Sequence, residues 1–177
     1  MVDIVKELSD NQTVLLLVPS TDYNNVTLDT VKKLSNESVG YVTLNKTFDS
    51  LKETFSKKGV NLKNIVFVDA ITRTFKEAKD TDCCYFVNSP GALTELSLAI
   101  SKFLKHNFKY VIFDSITNLL IYSKKAPVAM FLSSIVNKIK ASKTKAVFYA
   151  LSIKEQESLI QQSGMFVDKT IDLGKKQ

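Results

Sequence analysis

Thr13-Val-Leu-Leu-Leu-Val-Pro19 is a continuous apolar run with no polar alternation, closed by a proline. A strand with one wet face alternates apolar and polar residues, whereas a strand of a parallel sheet is covered on both faces and reads as an unbroken run. Outward from it the same character recurs in Val39-Gly-Tyr-Val-Thr-Leu44, Ile65-Val-Phe-Val-Asp-Ala-Ile71, Tyr110-Val-Ile-Phe-Asp114 and Ala146-Val-Phe-Tyr-Ala-Leu151. Cys83-Cys-Tyr-Phe-Val87 and Lys169-Thr-Ile-Asp-Leu173 read as shorter strands. Helical spacings lie between them. Asn25 to Leu34 turns Val31 and Leu34 inward, and Phe48, Leu51 and Phe55 mark a helix to Lys58, with Gly59 suited to its left-handed closing residue. Ser89 as cap and Pro90 at the first helical position predict a helix start, continued by Leu93, Leu96, Ile100, Phe103 and Leu104. Val128, Phe131, Leu132, Ile135, Val136 and Ile139 give a strongly amphipathic helix, and Ser152-Ile-Lys-Glu155 reads as a capping box opening the next. Arg73 to Asp82 reads as a polar loop.

Strands alternating with helices of this length predict βαβ units: an α/β chain with a mainly parallel sheet between helices on both faces, three layers in all. No repeat, linker or low-complexity segment divides residues 1–177, so a single domain is expected. The composition agrees with a globular chain: 177 residues, 45% hydrophobic and 24% charged. No uninterrupted apolar stretch, Val14 to Val18 included, comes near the roughly 20 residues of a membrane span. The opening MVDIVKELSDNQ mixes acids and bases, unlike a signal peptide, and two adjacent cysteines exclude a disulfide framework. The expected location is cytoplasmic.

The net charge of +6 is unevenly placed. Residues 121–177 carry ten lysines against four acids, and between Asp114 and Glu155 there is no acid and seven lysines. Lys124, Lys125, Lys138, Lys140, Lys143 and Lys145 form a candidate basic surface, read either as a solvated face or as a site for phosphates, nucleic acid or an acidic protein. Arginine, the forked ligand of phosphates and guanine edges, occurs once, at Arg73, which argues against sequence-specific DNA reading. Lysines without interleaved aromatics make nonspecific nucleic-acid binding the least favoured function.

Right-handed crossovers gather the carboxyl ends of parallel strands on one edge, where ligands of such folds bind. The candidate cleft residues there are Ser20, Thr21, Asp22, Asn45, Lys46, Asp69, Ser89, Asp114 and Ser115. Other chemistries lack their residues. His106 is the sole histidine and sits at a predicted helix end, Cys83-Cys84 is neither C-x-x-C nor part of a zinc pattern, and no G-x-S-x-G or G-x-G-x-x-G follows a strand. No metal or cofactor is expected. A receiver domain shares the architecture, but the first strand here lacks the acid pair its phosphoacceptor pocket wants.

The order and wording of the strands resemble the RecA-like ATPase domain of the KaiC and RadA-related families, archaeal proteins above all. Val42-Thr-Leu44 is similar to the strand that leads into paired catalytic glutamates. Asn64-Ile-Val-Phe-Val-Asp-Ala-Ile71 resembles the third strand, and Val111-Ile-Phe-Asp-Ser-Ile-Thr-Asn-Leu119 the Walker B strand with its serine-bearing turn. Phe166-Val-Asp-Lys-Thr-Ile-Asp-Leu173 is similar to a late strand. The resemblance implies a doubly wound RecA-like fold, with Asp114 and Ser115 as the Walker B remnant.

The departures from the family pattern fall on its chemistry. A P-loop needs glycines for phosphate-cradling N–H groups, a lysine and a magnesium-binding hydroxyl. From Thr13 to Val31 there is neither glycine nor lysine, and Asp22 brings a negative charge. The family's two glutamates are matched by Asn45 and Lys46, neither a general base at neutral pH. The expectation is a catalytically inactive RecA/KaiC-like domain, a degenerate P-loop relative acting as a regulatory or protein-interaction module, with a protein partner or self-association. The alternative is a protein that binds a nucleotide or phosphorylated ligand without hydrolysis, using Ser20 to Asn25 in place of the P-loop.

Overall fold

The computed structural model describes residues 2–174. Seven strands, β1 (Thr13–Val18), β2 (Val39–Thr43), β3 (Ile65–Asp69), β4 (Cys84–Phe86), β5 (Tyr110–Asp114), β6 (Lys145–Leu151) and β7 (Lys169–Asp172), form one sheet in the order β4-β3-β2-β5-β6-β1-β7. Every neighbouring pair is parallel. The helices are α1 (Ile4–Asp10), α2 (Tyr23–Leu34), α3 (Phe48–Lys57), α4 (Leu93–Lys105), α5 (Ile116–Tyr122), α6 (Lys125–Lys140) and α7 (Glu157–Gly164).

Alternation along the strands divides the buried residues between two cores. Val14, Leu16, Tyr41, Phe67, Ile112 and Tyr149 face the layer of α1, α2 and α3. Leu15, Val42, Val68, Phe113 and Phe148 face the layer of α4, α5, α6 and α7. Each fully buried Phe or Leu among them contributes about 1.5–3 kcal/mol of transfer free energy. The helices present apolar stripes at spacings of three and four, as Phe48, Leu51 and Phe55 do on α3 and Val128, Phe131, Leu132, Ile135, Val136 and Ile139 on α6. The three-layer α/β expectation is met.

Two glycines are required where they stand. Gly59 closes α3 with φ of +73°, as its position predicted. Gly40 on β2 lies under the Phe103 ring of α4, and a Cβ there would come within 2.4 Å of it. Gly40→Ala therefore overpacks the sheet–helix contact and is expected to lower the unfolding free energy by about 2–3 kcal/mol, as read by urea titration. A loss below about 0.5 kcal/mol would mean that α4 shifts freely on the sheet.

Several local expectations need correction. Ser89-Pro90 does not start a helix: the Ala92 amide donates to the Ser89 carbonyl at 3.0 Å, a turn, and α4 begins at Leu93 without a side-chain cap. Asn88 instead donates from its amide and side chain to Glu95 of the first turn of α4, at 3.0 and 2.6 Å. The Ser152–Glu155 capping box does not form either; a 3₁₀ turn at Lys154–Gln156 precedes α7, with no side-chain cap on either. The segment after Asp114-Ser115 is helix α5 rather than a turn, α2 starts at Tyr23 instead of Asn25, and a further helix, α1, precedes β1.

Candidate functional site at the carboxyl edge of the sheet

The chain leaves β2 into α3 on one face of the sheet and leaves β5 into α5 and α6 on the other. Adjacent strands whose exits diverge open a crevice at their carboxyl ends, the usual ligand position of such sheets. Thr43 and Asp114 are register partners at this crevice, so Asn45, Lys46, Asp114 and Ser115 stand together there.

Asp114 shares its face with Ile112 and points toward the α2 and α3 layer, 1% exposed. Its Oδ1 accepts the Tyr23 hydroxyl and, at 3.0 Å, the Asn45 amide; its Oδ2 accepts the Tyr41 hydroxyl. Burial raises the Asp114 carboxyl above its ordinary value, against the pull of the Tyr23, Tyr41 and Asn45 hydrogen bonds and the Lys46 charge. Burial, followed by the nearby Asp114 charge, likewise raises the Tyr23 and Tyr41 hydroxyls, which stay protonated donors. Tyr23 meets Tyr149 edge-on, with ring centroids 5.9 Å apart. The carboxylate that the sequence places as a Walker B remnant is thus enclosed by aromatic side chains and occupied by three donors.

Ser115 is also enclosed. Its hydroxyl lies 2.8 Å from Thr117 Oγ1 and donates to Asn118 Oδ1 at 2.6 Å, holding the first turn of α5. Asn45 and Lys46 form a turn in which Thr43 Oγ1 donates to the Lys46 carbonyl at 2.7 Å, and Lys46 Nζ reaches Asn24 Oδ1 of α2 at 2.6 Å. That contact ties the β2 turn to the start of α2 across the crevice.

Between β1 and α2 stand only Pro19, Ser20, Thr21 and Asp22. They form a tight turn in which the Asp22 amide donates to the Pro19 carbonyl at 3.0 Å. Ser20, Thr21 and Asp22 are exposed, and Asp22 precedes α2 without a side-chain capping bond. A phosphate cradle requires several N–H groups converging from a longer glycine-rich loop.

Asp69 is fully buried at the end of β3 and anchors its own loop. Oδ1 accepts the Ile71 and Thr72 amides at 2.7 and 2.8 Å; Oδ2 accepts the Phe48 amide at 2.7 Å and the Thr72 hydroxyl at 2.5 Å. Ser89 follows β4 at the opposite end of the sheet from β1, five strand positions or roughly 24 Å from Ser20–Asp22. The structure therefore brings Asn45, Lys46, Asp114 and Ser115 together and leaves Ser89 apart.

The six lysines spread over several elements. Lys124 and Lys125 begin α6, while Lys138 and Lys140 end it about 20 Å away. Lys138 donates to Ser97 of α4 at 2.9 Å, Lys140 pairs with Asp168 at 2.9 Å, and Lys145 holds the Leu8 and Ser9 carbonyls at the end of α1. Lys143 is exposed. His106 caps the carboxyl end of α4 through its backbone, and burial pushes the Cys84 thiol up, away from a reactive thiolate.

Tyr23 and Tyr41 are the residues that sequence reading missed. Tyr41 shares strand parity with Thr43, and thus the face of Asp114, a signal usable only once β2 and β5 are known to be neighbours.

No protein-family model and no curated protein sequence matches the chain. Among solved structures it is similar to a KaiC-like protein from the hyperthermophilic archaeon Pyrococcus horikoshii OT3, with a TM-score of 0.58 at 15% identity over 80% of this chain. The chain spans 61% of that protein's length. With the all-parallel seven-stranded sheet, this likeness identifies a RecA-like three-layer α/β fold.

Proposed function

We propose that residues 1–177 constitute one RecA-fold domain that does not turn over nucleotide and serves, in the cytoplasm, as a regulatory or protein-interaction module. The observation that carries this reading is the enclosure of Asp114: a carboxylate serving a metal-bound nucleotide must face the cleft, and here Tyr23, Tyr41 and Asn45 occupy it. The glycine-free four-residue turn after β1 and the Asn45-Lys46 pair in place of two glutamates support the same reading. The chemistry left at the crevice is donor and acceptor pairing among its own side chains, which rigidifies the strand ends and leaves the outer helix faces as the surface for partners.

Calorimetric titration with ATP and ADP, with and without magnesium, tests it. No heat of binding at millimolar nucleotide is the expected result. Micromolar, magnesium-dependent binding that disappears in Asp114→Asn would overturn the reading in favour of a non-hydrolysing nucleotide binder.

A further inference from the structure

Helix α6 is sixteen residues long, and the twelve from Ala126 to Asn137 include no charged side chain. A surface helix normally carries charge on its outer face. Here that face is Ala126, Met130, Ser134 and Asn137, at spacings of four, four and three, with Met130 73% exposed. Gln162 of α7 and Phe166 beyond it form the opposite wall of a shallow, mostly apolar groove. Lysines stand at both ends of this neutral floor, Lys124 and Lys125 at one and Lys140 and Lys143 at the other, while Lys138 turns away from it to Ser97 and Ser101 of α4. Among the described residues only Lys140 of these five has a carboxylate partner.

The first pair is placed against the field of its own helix. Lys124 occupies the N-cap of α6 and Lys125 its first residue, with no acid in the first turn. The amino end of a helix carries partial positive charge and favours anions, so two lysines there are repelled. An incoming carboxylate relieves this repulsion and answers the lysines that have none.

Resting on the reading of the chain as an interaction module, we propose that the α6–α7 groove docks an amphipathic helix of a partner protein. Its apolar face covers Ala126, Met130 and Phe166, and its acidic residues near both ends meet Lys124 and Lys125 at one end of α6 and Lys143, beside the Lys140–Asp168 pair, at the other. The distance between the flanking lysines, about 20 Å, corresponds to roughly fourteen helical residues, which sets the separation of the partner's acids. The neutral floor fits a helix face better than a nucleic-acid strand, whose phosphates recur along its whole length.

The probe is a displayed library of helical peptides of about 16 residues, the length of α6 itself, selected against the full chain and against Met130→Glu. Met130 is exposed, so the substitution leaves the core intact. The expected result is enrichment of amphipathic sequences with Asp or Glu at both ends, binding at least tenfold weaker to Met130→Glu and unchanged for Leu98→Glu at an exposed position of α4. No enrichment, enrichment of basic or non-helical sequences, or binding indifferent to Met130→Glu overturns the proposal. An oligonucleotide titration followed by amide chemical shifts supplies the other arm: perturbation of α6 by the oligonucleotide, with no peptide selected, would identify a nucleic-acid surface instead. Nucleotide binding at the sheet edge would overturn the functional reading and leave the groove result standing, so the two failures are distinguishable.

Discussion

Asp69→Ala is expected to lower the unfolding free energy by about 4–6 kcal/mol, because it leaves three backbone N–H groups and a hydroxyl without their acceptor, each at a cost of about 1–3 kcal/mol that entering water recovers in part. A domain with a total stability of about 5–15 kcal/mol then sits near its limit. Asp69→Asn is expected to be nearly as damaging, and the reason is geometric. Oδ1 accepts two backbone amides and Oδ2 accepts a third together with the Thr72 hydroxyl. An amide NH₂ at either position faces at least one backbone donor, and a backbone donor cannot reverse. Urea unfolding of the two variants beside the wild type checks this; a loss under about 1.5 kcal/mol in Asp69→Asn would show that the loop does not depend on that carboxylate.

The strands were legible because their signal is local. Burial on both faces removes alternation, and β1, β2, β3, β5 and β6 follow the apolar runs to within a residue or two. Helix starts were less legible, because the same residues serve turns. Ser89-Pro90 satisfies a helix-start rule, yet Gly91 lies close against the Tyr122 backbone, where a Cβ would stand 3.1 Å from its carbonyl oxygen. That contact and the turn bond from Ala92 to Ser89 delay α4 by one turn. Helix α1 carried a readable signal in Asp3 as cap with Ile4 and Leu8 buried four residues apart.

At the site, Asp114 and Asn45 could be named from their places at strand ends, and they lie 3.0 Å apart. The enclosure of Asp114 could not be read, since it depends on β2 lying beside β5 and on α2 beginning two residues earlier than its apolar spacing indicates. Those facts belong to tertiary packing. Asp69 shows the converse: its place at a strand end suggested a cleft residue, and its burial with backbone donors makes it a loop anchor.

Asp114 should answer substitution differently from Asp69, because two of its three donors are hydroxyls, which can rotate and accept. Asp114→Ala removes the acceptor for Tyr23, Tyr41 and Asn45 and leaves a void, so a loss of about 3–5 kcal/mol is expected. Asp114→Asn keeps the shape, retains one carbonyl oxygen and allows a tyrosine to accept from the new NH₂, so near pH 4 it should lie within about 1 kcal/mol of the wild type. The sign of the pH effect follows from the raised folded-state value of the carboxyl, whose first cause is burial. A carboxyl raised by folding stabilises fully below its unfolded value, about 3.9, and loses that contribution as pH rises through the folded value. The wild type should therefore fall relative to Asp114→Asn from about pH 4 upward and level off once the folded carboxyl is ionised. Taking the difference between the two proteins removes carboxylates of opposite behaviour, such as Asp168, whose value lies below the ordinary one although burial opposes its Lys140 and Thr13 hydrogen bonds. Unfolding curves of both proteins from pH 4 to 8 decide the matter. A difference that runs the other way would mean that the fold favours the charged carboxylate, as a site kept for a cation does, and the enclosed acid would then have to be read as a ligand in waiting.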